Sequence, residues 1–368
     1  MKRLVLVGGG HSHAEVLRSL GDAPLRGVEV VLVSPSRYTP YSGMLPGLVA
    51  GHYRHDACHL DLARLAGYAG CEFVVDAAVA IDPARRIIRL RGGGALDYTV
   101  ASLDIGSTPR AIPGASEHGI GVKPWDRFLH ALETLIACAR RGELRRLVVV
   151  GGGAAGVEVL LAVEHRFGRE GQAAGVDMRL VTDADRLLPD HNDRVRRIFA
   201  RTFARRGLKA SLATRVTRVD AGELETAGGE RFPFDAVVLA TGAEPAGWPS
   251  AGGLAVDASG FVLVDERLAS VSHPEVFAAG DIATMRGHPR PKSGVFAVRH
   301  GPPLARNLRR ELAGEPLESF VPQRAALALI TTGDRRAVMS RGRWALEGAW
   351  VWRWKDWIDR RFMNRYRI

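Results

Sequence analysis

Three glycines at a fixed spacing offer the clearest chemistry in this sequence. An apolar, β-branched strand precedes Gly151, Gly153 and Gly156, Ala154 lies between the last two, and a helical pattern follows over 157–167. In this context the first glycine permits a tight turn, the second lets the backbone approach a pyrophosphate, and the third lets helix and strand pack closely. The N–H groups and the positive end of the helix dipole then bind phosphate. The spacing predicts a dinucleotide-binding site.

A second glycine run lies at the start of the chain. Gly8 and Gly10 follow an apolar strand, His11 and Ser12 open a helix, and another apolar strand spans 28–33. This order predicts a β-α-β unit with its own dinucleotide site.

Both candidate sites depart from the usual pattern. His13 stands where the third glycine is expected, which predicts looser packing of helix on strand. Ser34 ends the second strand where an acid usually binds ribose, and its hydroxyl forms a weaker hydrogen bond. In the central unit no acid ends the corresponding strand, and Asp183, one position later, is the candidate to bind the ribose. The alternative there is NADPH, with Arg186 as the partner of its 2′-phosphate.

Several loops are expected to surround these glycines. The loop 36–46, with Pro40 and Tyr41, is expected to fold over a flat aromatic cofactor, the alternative being an ordinary surface loop. Three further turns follow β-like segments and supply candidate cofactor-binding residues: Gly106, the pair Thr241 and Gly242, and Asp281.

Composition narrows the class of partner. The formal net charge of +11 comes mostly from scattered arginines. It is typical either of a solvated surface or of attraction to anions, including dinucleotides and an anionic membrane surface. We expect no nucleic-acid partner, because no basic run accompanies a nucleic-acid-binding motif.

The cysteine pattern excludes several site classes. Cys58, Cys71 and Cys138 are widely spaced and form no C-x-x-C pair, which argues against a dithiol redox centre, a zinc site and a disulfide framework. We therefore predict no metal site and a cytoplasmic location. No stretch reaches transmembrane length.

The C-terminal tail carries an aromatic stripe. Five residues recur every four positions and are expected to share one helix face: Trp350, Trp354, Ile358, Phe362 and Tyr366. Arginines occupy much of the remaining surface. Such a helix suits the cytoplasmic face of an anionic inner membrane, or it packs on the protein's own core or on the partner in a homodimer.

Four motifs in order resemble those of the pyridine nucleotide–disulfide oxidoreductase superfamily. They are Gly8–Gly10, Gly151–Gly156, Thr241-Gly242 and Ala279-Gly280-Asp281. The resemblance implies an α/β fold with two three-layer, Rossmann-like domains and FAD and NAD(P)H as cofactors. It also implies three regions: an FAD-binding domain at 1–122 and 255–320, an inserted NAD(P)H-binding domain at 123–254, and a C-terminal β hairpin and helix at 321–368.

The C-terminal part resembles particular groups within this superfamily. The segment 332–354 resembles the end of type II NADH dehydrogenases. The runs 9–13, 34–51 and 354–363 resemble an FAD-dependent subgroup often fused N-terminally to selenide, water dikinase. We expect this chain to be a stand-alone form of that subgroup.

The resemblance also assigns roles to single residues. The N-terminal glycines would bind FAD and the central ones NAD(P)H, and Asp281 would bind the ribityl chain of the flavin. Ala297 would lie in a helix whose N-terminus faces the flavin pyrimidine. Glu158 would lie near the contact of nicotinamide and flavin, the alternative being a first-turn acid favoured by the helix dipole. From its place in the Lys-Pro turn, Lys123 is expected near the flavin N5, and a surface lysine is the alternative. His300, with an unperturbed pKa of about 6.5, could protonate a reduced acceptor.

The expected reaction is electron transfer from NAD(P)H through FAD to a quinone or another small acceptor, with no redox disulfide. The quinone-site pattern of type II dehydrogenases holds two glutamines, and this chain has Val295 and His300 there. Two alternatives therefore stay open. One is a soluble flavin reductase linked to selenium or sulfur metabolism, and the other is a flavin-binding regulatory protein with little turnover.

Overall fold

Two parallel five-stranded sheets form the centre of the molecule in the computed structural model, which describes residues 1–169, 171 and 175–368. The first sheet has the strand order Val276–Ala278, Val100–Leu103, Lys2–Val7, Val28–Ser34 and Glu72–Val75. The central parts of its strands are apolar and buried because both faces are covered, as is usual for parallel sheets. The predicted strands at 4–7 and 28–33 are confirmed, and they pair in register with Val5 opposite Val31.

The second sheet has the order Ile120–Gly121, Ala236–Leu239, Arg146–Val150, Asp177–Val181 and Lys209–Ser211. Each parallel sheet has its own buried cluster, with Leu4 and Leu32 in the first and Leu147 and Leu180 in the second. The two Rossmann-like units of the prediction are therefore present. The chain joins the second sheet at Ile120, slightly before the predicted boundary at 122/123.

Two helices begin at the glycine loops and position the candidate dinucleotide sites. The first glycine helix spans His11–Asp22 and packs against Leu62–Tyr68 and Gly294–Ala313. The second glycine helix spans Ala154–Arg169. The other helices of the described chain are Leu45–Val49, Ala115–His118, Trp125–Arg140, Asp193–Arg205, Trp248–Ala251 and Ala349–Arg365.

Small antiparallel sheets complete each unit. One consists of Ala78–Asp82, Ile87–Leu90 and Ala95–Asp97, and the other of Val216–Asp220, Glu223–Thr226 and Arg231–Pro233. Three strand pairs also occur. Tyr38–Pro40 with His59–Asp61 and Thr108–Pro109 with Ala243–Glu244 are antiparallel, and Val262–Val264 with Ala283–Met285 is parallel. The second of these pairs joins the two units where the chain crosses between them.

The C-terminal region differs from the predicted hairpin. Three antiparallel strands, Ala328–Thr331, Ala337–Arg341 and Trp344–Gly348, precede the helix Ala349–Arg365. Among residues 1–169, 171 and 175–368, no helix has the length and apolarity to cross a bilayer.

The prediction of one aromatic face on this helix is wrong. Trp350 and Trp354 are exposed, whereas Phe362 packs on Tyr41 and Tyr366 is buried beyond the helix end. A step of four residues advances about 40° around an α-helix, so the stripe turns from solvent toward the core along its length.

Candidate functional site

The first glycine loop requires glycine at its opening position. Gly8 has a φ of +95°, and a Cβ there would lie 2.4 Å from the carbonyl oxygen of Asp104. This close approach holds the loop against the end of the strand Val100–Leu103.

Asp104 is a residue of this site that the sequence did not single out. Its buried carboxylate accepts hydrogen bonds from the backbone N–H groups of Ser12, at 2.8 Å, and His13, at 3.0 Å. A Cβ on Gly10 would lie 2.2 Å from its Cγ. Burial raises the pKa of Asp104 to about 7. The only available signal was an acid placed directly after a buried strand, at the edge where ligands bind α/β sheets.

His13 fills the position of the missing third glycine. Its fully buried ring has Nδ1 at 2.7 Å from the Gly8 carbonyl and Nε2 at 2.8 Å from the Ser102 hydroxyl. Burial lowers the pKa of His13 to about 4. The expected looser packing is therefore wrong, because the imidazole fills the space and is hydrogen-bonded to loop and strand.

Two predicted cofactor residues join helices instead of facing solvent. The Ser12 hydroxyl donates to the Ala297 carbonyl at 2.7 Å, which ties the first glycine helix to Gly294–Ala313. A Cβ on Gly301 would lie 2.7 Å from Cβ of Glu15, so a glycine is needed for these helices to approach.

His11 lies beside the aromatic residues of the predicted cofactor loop. Its ring makes an edge contact with Tyr41, centroids 5.4 Å apart, and Tyr41 stacks on Phe362 at 4.2 Å. Pro40 precedes Tyr41 at the end of a short strand. The buried Nε2 of His11 has no hydrogen-bond partner among the described residues. Burial lowers the pKa of His11 to about 4, so the ring is neutral near pH 7.

The structure brings together Asp281, Lys123 and Ser107. The Asp281 carboxylate accepts hydrogen bonds from the Ser107 hydroxyl at 3.1 Å and from Lys123 Nζ at 3.3 Å. Gly106 has a φ of +69° with open space around its Cβ position. This cluster lies beyond the carboxyl ends of first-sheet strands, where a flavin is expected.

His300 is poorly suited to the predicted acid role. Its Nδ1 accepts the N–H of Gly280 at 3.2 Å, which leaves the proton of the neutral ring on Nε2. Burial lowers the pKa of His300 to about 4, so the near-neutral value expected from the sequence is wrong. The ring lines a small pocket together with Asp281, Lys292 and Phe296.

The second glycine loop is more open. Gly151 has a φ of +126°, and a Cβ there would lie 2.2 Å from the Ala240 carbonyl oxygen. A Cβ on Gly156 would lie 2.0 Å from the Gly151 oxygen, which confirms the close helix–strand approach. Around Gly153 no atom lies within 4 Å of the Cβ position, and Ala154 begins the helix.

The residues predicted to bind the riboses or the 2′-phosphate differ in their contacts and exposure. The Ser34 hydroxyl donates to the Ser36 carbonyl at 3.0 Å, so only its lone pairs remain for a ligand. Asp183 is exposed beyond its strand. Arg186 pairs with Asp185, Nε to Oδ1 at 2.7 Å. Its guanidinium is therefore less available to bind a 2′-phosphate of NADPH.

Two other predicted positions make contacts within the protein. The Thr241 hydroxyl donates to the Arg110 carbonyl at 2.9 Å, and the Arg110 N–H donates to the Gly242 carbonyl at 2.7 Å. Glu158 accepts the backbone N–H of Thr331 at 2.7 Å, which connects the second glycine helix to the C-terminal sheet. Burial raises the pKa of Glu158.

The residues present fit two dinucleotides. Each loop has a glycine that a side chain would force out of place, and the space before Gly153 is free for a pyrophosphate. On the first loop, the unpartnered Nε2 of His11 offers a polar contact to a flavin. On this loop the N–H groups of Ser12 and His13, which would face a phosphate, are hydrogen-bonded to the Asp104 carboxylate.

Comparisons with known proteins agree with this geometry. The sequence model of the pyridine nucleotide-disulphide oxidoreductase family matches residues 2–301. An NADH dehydrogenase-like protein of Mycobacterium tuberculosis is 27% identical, covering 93% of this chain and 90% of the relative. A mitochondrial external alternative NAD(P)H-ubiquinone oxidoreductase of Arabidopsis thaliana is 26% identical over 66% of this chain and 47% of its own. The sulfide:quinone oxidoreductase structure from Aquifex aeolicus superposes with a TM-score of 0.83 at 18% identity, covering 100% of this chain and 92% of that one.

Proposed function

This chain belongs to the pyridine nucleotide-disulphide oxidoreductase family, and we propose that it passes two electrons from NAD(P)H through FAD to a quinone-like acceptor at a membrane surface. It is a flavin-dependent NAD(P)H dehydrogenase. The proposal adds the acceptor, its location and the roles of single residues.

The exposed aromatic surface of the C-terminal region is the observation that carries the proposal. Trp350, Trp354 and Trp357 share one helix face and are 49%, 36% and 56% exposed. Trp344 and Leu346 project from one side of the preceding strand and are 67% and 45% exposed. We call these five residues the tryptophan patch. Tryptophan is enriched at membrane–water interfaces, and neighbouring arginines suit anionic headgroups.

The opposite side of the same helix is attached to the predicted flavin site. Lys355 Nζ donates to the Gly43 carbonyl and to the Asp359 carboxylate, the latter at 2.5 Å. The Tyr366 hydroxyl donates to Glu15 on the first glycine helix at 2.7 Å. The tryptophan patch and the contacts with Gly43 therefore lie on opposite sides of one helix, which would bring a lipid-soluble acceptor toward the loop of Tyr41.

The proposed residue roles follow from position and charge. Bound FAD supplies two-electron exchange with the nicotinamide and the acceptor. Lys123 and Asp281 would hold the flavin, and His300 would offer its Nε2–H as a hydrogen-bond donor to the cofactor or the acceptor. The second glycine loop binds NAD(P)H. Glu158 fixes the second glycine helix relative to the C-terminal sheet through Thr331.

A soluble reductase of selenium or sulfur compounds is the second candidate. Val295 and His300 replace both glutamines of the quinone-site pattern, and Val295 is 37% exposed at the start of its helix. The resemblance of 9–13, 34–51 and 354–363 to the subgroup fused to selenide, water dikinase favours the same reading.

Anaerobic reoxidation distinguishes the two candidates. Protein reduced by NAD(P)H is mixed either with anionic vesicles containing a long-chain quinone, or with selenite, sulfur oxyanions or thiol adducts in solution. We expect the vesicle quinone to reoxidise the flavin at least tenfold faster than the soluble compounds. The opposite order would favour the soluble reductase.

A triple variant tests the membrane surface. Serine at Trp350, Trp354 and Trp357 should abolish co-sedimentation with vesicles but leave reoxidation by a water-soluble quinone intact. The matched control places serine at Val75 and Leu212, which are 64% and 40% exposed elsewhere. Unchanged sedimentation of the triple variant would refute membrane binding. Conversion of a wild-type dimer to a monomer would instead assign the tryptophan patch to a second copy of the chain.

A further inference from the structure

Two histidines and an aspartate meet where the two sheet units touch. The rings of His55 and His59 stack with centroids 3.7 Å apart, and His59 Nε2 lies 3.7 Å from Asp126 Oδ1. One candidate ligand atom from each residue lies within 4.8 Å of the others. The group is separate from the glycine loops and from the cluster of Lys123 and Asp281.

The state of His59 points to a ligand. Its side chain is only 2% exposed, and Nδ1 lies 2.7 Å from the His55 carbonyl oxygen. A carbonyl can only accept, so Nδ1 carries the proton and Nε2 carries a lone pair. Nε2 is buried and has no hydrogen-bond partner among the described residues.

We propose that His55, His59 and Asp126 bind one divalent transition-metal ion of the Zn²⁺ class, with solvent as the fourth ligand. Two imidazoles and one carboxylate suit zinc better than magnesium or calcium, which prefer oxygen. The carbonyl that holds Nδ1 of His59 orients the ring in the way that outer partners orient metal-bound histidines.

The His55 and His59 rings are stacked 13° from parallel, so binding one ion requires the exposed His55 ring to rotate out of the stack. Tetrahedral zinc has bonds of about 2.0–2.1 Å to nitrogen, so its ligand atoms lie roughly 3.4 Å apart. His55 and Asp126 are exposed and can rotate, whereas His59 is fixed by its burial and by its bond to the His55 carbonyl. The two mobile ligands would therefore close on the fixed one.

The ligands come from different units of the fold. His59 begins the strand His59–Asp61, next to residues of the first core such as Leu60. Asp126 lies in the first turn of Trp125–Arg140, whose Phe128 is buried in the second core. A bound ion would therefore cross-link the two units just after the chain passes from one to the other.

Metal titration of the purified holoprotein, without an affinity tag, tests the proposal. We expect one Zn²⁺ per chain by calorimetry and by metal analysis after dialysis, with a raised melting temperature. Co²⁺ in its place should give the visible absorption of a tetrahedral site. Absence of stoichiometric binding would overturn the proposal.

Three variants locate the ion. His59→Gln and the exposed His55→Gln should each weaken Zn²⁺ binding at least tenfold, and the matched control His130→Gln, one turn after Asp126, should not. Flavin content and melting temperature of the metal-free variants show that they fold. If His55→Gln and His59→Gln bind Zn²⁺ as the wild type does, the assignment is wrong. None of these outcomes depends on which acceptor the enzyme uses.

Discussion

The two glycine loops have the same topology but differ in what faces the ligand. In each, the first glycine lies against the end of a neighbouring strand. A Cβ on Gly8 would be 2.4 Å from the Asp104 oxygen, and a Cβ on Gly151 would be 2.2 Å from the Ala240 oxygen. The backbone requirement for glycine is therefore the same in both loops.

The residue at that strand end makes the difference. The Asp104 carboxylate occupies the space before Gly10 and accepts the first N–H groups of its helix, whereas Ala240 leaves the space before Gly153 open. The third position differs as well, since His13 is hydrogen-bonded where Gly156 permits direct backbone contact. The N–H groups of the first loop are therefore bonded to a carboxylate of the protein, whereas no side chain lies before the second glycine of the other loop.

The largest expected effect comes from removing the imidazole that closes the first loop. His13→Ala leaves a cavity and strips the Gly8 carbonyl and the Ser102 hydroxyl of their partner. We expect a loss of about 3–4 kcal/mol in the free energy of unfolding, measured by denaturant titration. Gly156→Ala, the corresponding change in the second loop, should cost about 1–3 kcal/mol by overpacking. A cost below about 1 kcal/mol for His13→Ala would contradict the packing role.

The same histidine should make stability depend on pH. The pKa of His13 is about 4 in the folded protein and near 6.5 when unfolded, so the unfolded state binds the extra proton. Its contribution is complete above pH 6.5 and is lost as the pH falls toward 4, by up to about 3 kcal/mol. His13→Gln should reduce the slope of stability against pH in this range by the share of His13, leaving those of His11 and His300, while His130→Gln should leave the slope unchanged. Equal slopes in both variants would refute the assignment.

Filling the open space of the second loop should block its ligand. The Cβ position of Gly153 meets no protein atom, so Gly153→Val should leave the melting temperature unchanged. The side chain would occupy the space of the pyrophosphate, and we expect NAD(P)H affinity to fall by about 100-fold, or about 2.7 kcal/mol. Calorimetry on protein that retains its FAD measures the NAD(P)H affinity. Unaltered NAD(P)H binding would show that the dinucleotide lies elsewhere.

Exchanging the strand-end residues should have the smallest effect. Asp104→Ala frees the N–H groups of Ser12 and His13 for phosphate, and we expect FAD to bind about tenfold tighter, or about 1.4 kcal/mol. The reciprocal Ala240→Asp should weaken NAD(P)H binding by a similar factor. Weaker FAD binding in Asp104→Ala would mean that the carboxyl supports the cofactor site instead of competing with it.

Local patterns predicted what depends on neighbours along the chain. The strand–glycine–helix order needs only adjacent residues, so both loops and the first two strands were located correctly. Asp281 was assigned by resemblance and Lys123 by its place in the Lys-Pro turn, and the structure brings them within 3.3 Å.

Contacts between distant segments could not be predicted from sequence patterns. Nothing near Asp104 indicates that its carboxyl caps the first glycine helix. The neutral state of His300 follows from burial that only the fold creates. The cysteine spacing led to the prediction of no metal site, and it gave no information on His59 and Asp126, which come from separate units.

The most direct test of the account is an anaerobic visible spectrum of the purified protein before and after NADH, and then NADPH, with Gly153→Val beside the wild type. We expect the wild type to contain flavin that one nucleotide bleaches, and the variant to contain the same flavin but not to be bleached at that concentration. Flavin that stays oxidised in the wild type with both nucleotides would contradict the assignment of the two glycine loops.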